Sequence, residues 1–299
     1  NLMKGSVIPR YSGLPTVLKE NGYYNLFFMT HEGQYDNMNA FFRTNGYDEV
    51  FSQEDYPVDK VVNSFGVQDD FLYDYAIPVL NQRAATGQPF FATLLSISNH
   101  PPYVIPPFFH PKTSEPEMQI VEYADWALRQ FFEEARKQPW FDNTIFVLEG
   151  DHGKLVGDAE CELPESYNHI PLMIYSSRIQ PEEKTAFGGQ VDIQPTILGL
   201  LNIDYLQNNF GVDLLKEERP CMFYTADNMV VGRNDTLLYL YNYETQQELT
   251  YDIGNGKLNA VPMDDSFFPL KEYSFSMLQS AEFLVKHGKT LNSIPFTQQ

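Results

Sequence analysis

Two side chains that can bind a metal ion follow a strand-like run near the middle of the chain. The tetrapeptide Gly150-Asp151-His152-Gly153 follows the apolar segment 144–148, with one residue between them. A buried strand that stops at glycine delivers the next side chains to its carboxyl end, where open α/β sheets bind ligands. A carboxylate oxygen beside an imidazole nitrogen suits manganese, zinc or magnesium. The pair therefore predicts a metal-dependent enzyme, although such a pair alone is more often a turn or a helix cap.

Three further histidines also lie at the ends of apolar segments. His31 follows the run 27–30, His100 follows the run 94–99, and His169 precedes the run 170–175. If the strands are parallel neighbours, His31, His100 and His152 line one crevice with Asp151, an arrangement that suits an anionic group or a metal. His169 is expected at the opposite strand end, from which only a long loop could bring it back to the metal.

His100 also has a purely structural interpretation. A loop histidine that stacks on Pro101 and Tyr103 would explain its position equally well from the sequence alone. Asp192 precedes the apolar helix-like run 193–201 and is most simply interpreted as the N-cap of that helix.

Helix and strand patterns alternate along most of the chain, which predicts an α/β fold with a parallel or mixed sheet. From about Pro220 the pattern changes to short β segments and one final helix. We therefore predict a catalytic domain over residues 1–219 and a small β-rich subdomain over residues 220–299. Helices are predicted at 14–23, 69–84, 117–138, 193–201 and 271–287, and strands at 25–29, 89–96, 144–148, 170–175, 221–224, 236–243 and 249–251.

The charge balance excludes one large class of partners. The chain has 20 basic and 40 acidic residues and a formal charge of −20. Such a charge opposes binding to nucleic acids and to anionic membrane surfaces, and no basic patch is visible in the sequence. The longest nearly uncharged stretch, 88–111, contains six prolines and cannot form a bilayer-spanning helix. Two cysteines, Cys161 and Cys221, are too few for a disulfide framework.

Several motifs together resemble the sulfatase branch of the alkaline phosphatase superfamily. They are the segments 144–153, His169-Ile170-Pro171-Leu172 and 191–201. Within that branch, Asn99-His100-Pro101-Pro102-Tyr103 and the region 31–47 look like the extracellular catalytic domain of lipoteichoic acid synthases and related phosphoglycerol transferases. Ser64-Phe65-Gly66-Val67-Gln68-Asp69 is similar to another recurrent segment of that group.

The resemblance implies an alkaline phosphatase-like mixed β-sheet flanked by helices, and one divalent metal, manganese in the synthases, with magnesium, calcium or zinc as other candidates. It also implies a threonine nucleophile that forms a covalent phosphoglycerol intermediate. By this resemblance Asp151 and His152 are metal ligands, with His169 as a possible addition, and His100 is the catalytic histidine of the substrate pocket. His31 falls where phosphoglycerol is contacted. Two further candidate substrate-binding residues are Asn39 and Arg43. Asn39 stands where relatives carry an arginine, and Arg43 is the arginine nearest to that position in sequence.

The first metal-binding acid and the nucleophile of the family belong to a segment upstream of the region that matches Asn1. We therefore expect this chain to be an incomplete enzyme, inactive alone, from an extracytoplasmic protein that is anchored in the membrane through an N-terminal region. The expected activity is transfer or hydrolysis of a phosphate or sulfate ester, with an anionic phospholipid headgroup or a glycan as substrate. Alternatives are a formylglycine sulfatase, although neither cysteine has the Cys-x-Pro-x-Arg context, and a non-catalytic envelope-binding module.

Overall fold

The computed structural model describes residues 8–155 and 157–291. The chain divides into two compact units, residues 1–144 and 145–299. The start of the predicted domain 1–219 and the end of the predicted domain 220–299 lie outside the described residues, and this division stays a prediction. The first unit contains α1 (Leu14–Glu20), β1 (Tyr24–Met29), α2 (Met38–Thr44), β2 (Glu49–Phe51), β3 (Val61–Asn63), β4 (Gly66–Val67), α3 (Asp69–Ala84), β5 (Phe90–Leu95) and α4 (Pro116–Ala135).

A three-stranded parallel sheet with the order β2-β1-β5 forms the centre of the first unit. The central strand β1 is apolar along almost its whole length, and its residues from Asn25 to Met29 are buried. Continuous burial is typical of a parallel strand that is covered on both faces. β1 pairs with β5 in register from Tyr24 opposite Phe90 to Met29 opposite Leu95. The carboxyl ends of both strands therefore lie at the same end of the sheet.

The two long helices of the first unit have the predicted positions. α3 has the predicted bounds, and α4 buries Ile120, Tyr123, Ala127 and Phe131 at helical spacing. The Tyr123 hydroxyl donates a hydrogen bond of 2.5 Å to Asp70 of α3, so the contact between these helices includes a polar anchor. No helix in the described parts of the chain combines the length and apolar character needed to cross a bilayer.

The second unit begins with two strands that run in opposite directions. Its elements are β6 (Phe146–Glu149), β7 (Leu172–Tyr175), α5 (Ile193–Leu200), β8 (Met222–Ala226), β9 (Met229–Arg233), β10 (Leu237–Asn242), β11 (Gln247–Asp252), β12 (Asn259–Ala260) and α6 (Phe268–Lys286). β6 and β7 are antiparallel, with Glu149 opposite Leu172. The expectation that His169 lies at the opposite strand end was therefore wrong, because antiparallel pairing brings the start of β7 beside the end of β6.

Strands β8 to β12 form an antiparallel sheet in which sequential strands are neighbours. Strands were predicted near β8, β10 and β11, whereas β9 and β12 were missed. Helix α6 packs closely on this sheet at Gly232, where an added Cβ would lie 2.5 Å from the Ser274 hydroxyl oxygen. The Ser274 hydroxyl donates a hydrogen bond of 2.8 Å to the Leu270 carbonyl of its own helix and also lies 3.2 Å from the Val231 carbonyl. Parallel and antiparallel ladders thus occur in one α/β chain.

A buried ion pair stabilises the second unit and corrects the interpretation of Asp192. Asp192 stands at the N-cap position of α5, but its side chain makes no hydrogen bond with the helix. The carboxylate instead accepts from Arg219 Nε at 2.8 Å and from the backbone N–H groups of Gly189 and Val212 at 2.9 and 2.8 Å. The side chains of Arg219 and Asp192 are only 4% and 0% exposed. The buried Asp192 carboxylate thus neutralises the charge of the buried Arg219 guanidinium and accepts its hydrogen bonds.

We expect Asp192→Asn to lower the free energy of unfolding by about 3–5 kcal/mol, because it leaves Arg219 buried without its counter-ion. The measurement is urea unfolding followed by circular dichroism. Glu282→Gln is the matched control, since Glu282 pairs with Lys286 on the exposed face of α6 and such pairs contribute about 0.5 kcal/mol or less. Equal losses in the two variants would contradict the importance of the buried pair.

Candidate functional site

His31 lies just beyond the carboxyl end of β1 and is almost completely buried, with 3% of its surface exposed. Its Nδ1 lies 3.0 Å from the Glu32 carbonyl oxygen, and its ring centroid is 4.9 Å from that of Tyr35. A carbonyl only accepts hydrogen bonds, so Nδ1 carries a proton. In the neutral imidazole, Nε2 is then the nitrogen with a free lone pair.

His100 follows β5 and is exposed. Its Nδ1 lies 2.7 Å from the Pro101 carbonyl oxygen, so this imidazole is also protonated at Nδ1. Its ring packs against that of Phe65 in a tilted contact, with ring centroids 4.1 Å apart. The predicted stacking partners were Pro101 and Tyr103, and the contact with Phe65 of the β3–β4 turn was missed.

The parallel register brings these two histidines to one end of the sheet. Met29 lies opposite Leu95, and both chains leave the sheet in the same direction, towards His31 and His100. The carboxyl ends of β1 and β5 thus share one end of the sheet, as predicted. The predicted crevice that His31, His100, His152 and Asp151 line together stays a prediction. Their roles in substrate binding and catalysis stay predictions.

Asn39 and Arg43 lie on α2 and contact each other. Arg43 Nε donates to the Asn39 side-chain oxygen at 2.8 Å, and the guanidinium also donates to the carbonyls of Asp48 and Val50, each at 3.3 Å. The Arg43 guanidinium thus binds groups of its own unit. A substrate would have to compete with these hydrogen bonds, so the substrate-binding role of both residues stays a prediction.

Asp151 and His152 are exposed side chains on the turn after β6. His152 Nε2 lies 3.8 Å from Asp151 Oδ2, and the two side chains are 72% and 75% exposed. Divalent ions bind such ligands at about 2.0–2.2 Å, so two ligands of one ion lie at most about 4.4 Å apart. The His152 Nδ1 lies 2.7 Å from the Gly153 carbonyl, which leaves Nε2 available as a ligand. This donor pair fits two positions of a divalent metal site.

The turn that carries these ligands is held from two sides. Gln190 Nε2 donates to the carbonyls of Gly150 and Asp151 at 3.2 and 2.9 Å. The Gly153 N–H donates to the Tyr167 carbonyl at 2.8 Å. A Cβ at Gly153 would lie 1.9 Å from the Ser166 carbonyl oxygen, so only glycine fits there. Sequence analysis missed Gln190, which directly precedes the quoted motif 191–201.

His169 lies in the segment that packs against this turn. It is exposed, and its N–H donates to the Glu165 carbonyl at 2.8 Å. Glu149 is the last residue of β6 and precedes Asp151 by two residues. Burial, together with repulsion from Asp151, raises the pKa of the Glu149 carboxyl group. Within residues 8–155 and 157–291, no three His, Cys, Asp or Glu side chains are grouped so that they could hold a metal ion. The described candidate ligands are therefore Asp151 and His152, and His169 as a third ligand stays a prediction.

Solved structures share this fold. An alkaline phosphatase superfamily protein from Vibrio parahaemolyticus superposes with a TM-score of 0.84 at 27% identity, over 97% of this chain and 72% of that one. The lipoteichoic acid synthase LtaP from Listeria monocytogenes superposes with a TM-score of 0.81 at 22% identity, over 95% of this chain and 75% of that one. The predicted alkaline phosphatase-like fold is therefore confirmed.

The sequence is similar to two named synthases of Bacillus subtilis (strain 168). Lipoteichoic acid synthase 1 is 26% identical over 270 residues, which are 83% of this chain and 40% of that protein. Lipoteichoic acid synthase 2 is 26% identical over 230 residues, which are 69% of this chain and 35% of that protein. The chain thus spans about two fifths or less of the length of these relatives.

A protein-family model supplies the assignment. The sulfatase family model matches residues 4–203, which is more than half of the chain. The matched range includes β1, β5 and β6 with the candidate residues that follow them. This chain belongs to the sulfatase family.

Proposed function

We propose that this chain is part of a metal-dependent enzyme that transfers or hydrolyses a phosphate ester, with phosphoglycerol as the group transferred. The observation that carries the proposal is that β1 and β5, which His31 and His100 follow in sequence, end at the same end of the parallel sheet. The sulfatase family match and the 26% identity to lipoteichoic acid synthase 1 support this direction.

Asp151 and His152 are the proposed ligands of one divalent ion, with manganese as our first candidate. When bound, such an ion lowers the pKa of a hydroxyl nucleophile and neutralises charge on the transferred group. The chain's own contribution is to hold the Asp151 oxygen and the His152 Nε2 on one side of a short turn. The Gly153 carbonyl holds His152 Nδ1, which leaves His152 Nε2 available to the ion.

His31 and His100 have different environments and therefore different proposed roles. His31 is buried and held by Glu32 and Tyr35, so its Nε2 accepts a hydrogen bond from a hydroxyl of the phosphoglycerol group and orients that group. His100 is exposed and can exchange a proton with an incoming or departing hydroxyl through Nε2. Asn39 and Arg43 are proposed to contact the glycerol or phosphate once their mutual hydrogen bond opens. None of these side chains is a hydroxyl, so the proposed mechanism requires a nucleophile from outside this set.

The proposed acceptor is water, an alcohol or a glycan of the cell envelope, and the proposed donor is an anionic phospholipid headgroup. The reaction would take place outside the cytoplasm, in a membrane-anchored protein, as the name lipoteichoic acid synthase of the relatives suggests. A sulfate ester is the second candidate substrate, since the matching family is named for sulfatases. A binding module without catalytic activity is the candidate from another class.

Asp151→Ala tests the enzyme proposal. We expect the whole protein to bind one divalent ion and to hydrolyse a generic phosphodiester faster than a generic sulfate ester. The variant should lose most of the metal and the turnover, because a single remaining ligand on this turn cannot retain the ion. Metal analysis after dialysis and both ester assays provide the measurements.

The control for this variant is Asp158→Ala, which removes another acidic residue from the loop after the turn. It should leave metal content and turnover unchanged. A whole protein without metal and without turnover of either ester would exclude the enzyme proposal. Unchanged metal content in Asp151→Ala would instead exclude Asp151 as a ligand.

Gln190→Leu tests whether the clamp on the turn supports the metal site. The substitution removes two hydrogen bonds to the Gly150 and Asp151 carbonyls, so the turn should hold its ligands less well. We expect the metal dissociation constant, measured by calorimetric titration with Mn²⁺, to rise roughly 10- to 100-fold. Gln247→Leu, at an exposed position of β11, is the control and should leave the dissociation constant unchanged. Equal affinity in both variants would contradict the role of Gln190.

A further inference from the structure

Residues 64–69 contact the chain beside both histidines of the first unit. This segment includes the β3–β4 turn and the first residue of α3, and no role has been assigned to it above. We propose that the 64–69 segment is a positioning element that fixes the imidazoles of His31 and His100 relative to each other. Its expected effect on turnover rests on the proposed function, whereas the placement of the two rings does not.

The first contact lies beside His31. Gly66 has a φ of +91°, and a Cβ there would lie 1.7 Å from the Thr30 carbonyl oxygen and 2.9 Å from the His31 Cα. Only a glycine allows the backbone of β4 to approach this closely. The N–H of Val67 then donates to the same Thr30 carbonyl at 3.2 Å. The peptide that precedes His31 is thus fixed to β4.

The second contact lies on the ring of His100. Phe65 directly precedes Gly66 in sequence, and its ring packs against that of His100 at 4.1 Å with an interplanar angle of 43°. The turn that presents Phe65 is closed by its N–H, which donates to the Asn63 side-chain oxygen at 2.8 Å. Consecutive residues of one turn therefore contact the two histidine positions.

The third contact holds the turn that leads to His100. Asp69 Oδ1 accepts from the N–H groups of Ile97 and Ser98, each at 2.9 Å. The N–H of His100 donates to the Ile97 carbonyl at 2.8 Å, which closes this turn. Asp69 is 2% exposed, and burial raises the pKa of its carboxyl group against the opposing effect of these hydrogen bonds. A buried acceptor of two backbone N–H groups leaves the 97–100 turn little freedom.

Gln68 completes the connection between the segment and this turn. The Ser98 hydroxyl donates to the Gln68 side-chain oxygen at 2.8 Å and accepts from the Asp69 N–H at 3.0 Å. Between Phe65, Gln68, Ser98 and His100 the structure leaves a cavity of about 10 Å³. One water molecule needs roughly 10–15 Å³, so the space on this side of His100 holds about one water molecule.

The test combines substitution of the segment with histidine NMR signals and kinetics. In Asp69→Ala the Ile97 and Ser98 N–H groups lose their acceptor, so we expect the His100 ring signal, assigned with His100→Gln, to shift or broaden. Turnover should fall by on the order of 100-fold, as small displacements of catalytic groups can cause, with little change in KM. Asp69→Asn keeps an oxygen acceptor and should restore the signal and most of the turnover.

Asp70→Ala is the matched control, because Asp70 is the next residue of α3 and contacts Tyr123 instead of the 97–100 turn. Phe65→Leu removes the aromatic contact without a change in charge; besides the shift that loss of its ring current causes, the His100 signal should broaden. Gly66→Ala should move the His31 signal, since the added methyl group must displace Thr30. Phe65→Leu keeps the proposal testable if Asp69→Ala does not fold.

The proposal is overturned if Phe65→Leu or a folded Asp69→Ala leaves the His100 signal as it is in Asp70→Ala. Loss of stability with unchanged histidine signals would mean that the segment has a structural role alone. A wild-type protein that turns over no ester would exclude the proposed function, while the NMR signals would still decide whether the segment positions the two rings.

Discussion

The parallel pairing of β1 with β5 is the constraint on which the arrangement of the first unit depends. Strand β1 is apolar and buried, so its side chains alone specify the register weakly. Polar groups near its start fix the strand on both sides, to Pro89 before β5 and to the segment before β2. The N–H of Tyr24 donates to the Pro89 carbonyl, and the N–H of buried Asn25 donates to Asp48 at 2.9 Å. The Asn25 side chain also donates to the Gly46 carbonyl. A slip of one residue would break these bonds and reverse the direction of each side chain.

In the second unit, one short segment connects the stability of the protein with the candidate metal ligands. Residues 189–192 contain Gln190, which clamps the Asp151 turn, and Asp192, which pairs with buried Arg219. The Gly189 N–H that binds the Asp192 carboxylate fixes the chain just before Gln190. A change in the buried ion pair would therefore also affect the position of Gln190 and of the turn that it holds. This connection explains how exposed candidate ligands on a short turn can be held in place.

Much of the fold could be predicted from the sequence, because hydrophobic periodicity is a local property. The repeated apolar positions of α3 and α4 and the apolar run of β1 all matched. The direction of β7 was not predicted, since the alternation of helices and strands favoured parallel neighbours. Parallel strands need a crossover that is usually an α-helix, and the segment between β6 and β7 contains only a short 3-10 turn, Glu165–Tyr167, among its described residues. The absence of a helical pattern in this segment could have indicated that β6 and β7 are antiparallel.

The contacts that position the candidate site were harder to predict because their partners are far apart in sequence. Asp192 and Arg219 are 27 residues apart, and Asp69 lies 29 residues from Ser98. Local statistics describe an aspartate at a helix start as a cap, and both residues stand at such positions. Whether its carboxylate binds its own helix or a distant segment depends on tertiary packing, which a single sequence does not reveal.

The net charge of −20 has a consequence for any anionic substrate. The long-range field of such a protein repels anions, and Arg43, the guanidinium nearest to the candidate site in sequence, already binds its own unit. Attraction of the anion must therefore come from a short-range partner such as a bound divalent cation, while the Nε2 lone pairs of the two histidines accept hydrogen bonds from hydroxyl groups of the substrate. Short-range attraction depends steeply on distance and direction. Precise placement of His31 and His100 then matters more for this protein than for one that attracts its substrate through a basic surface.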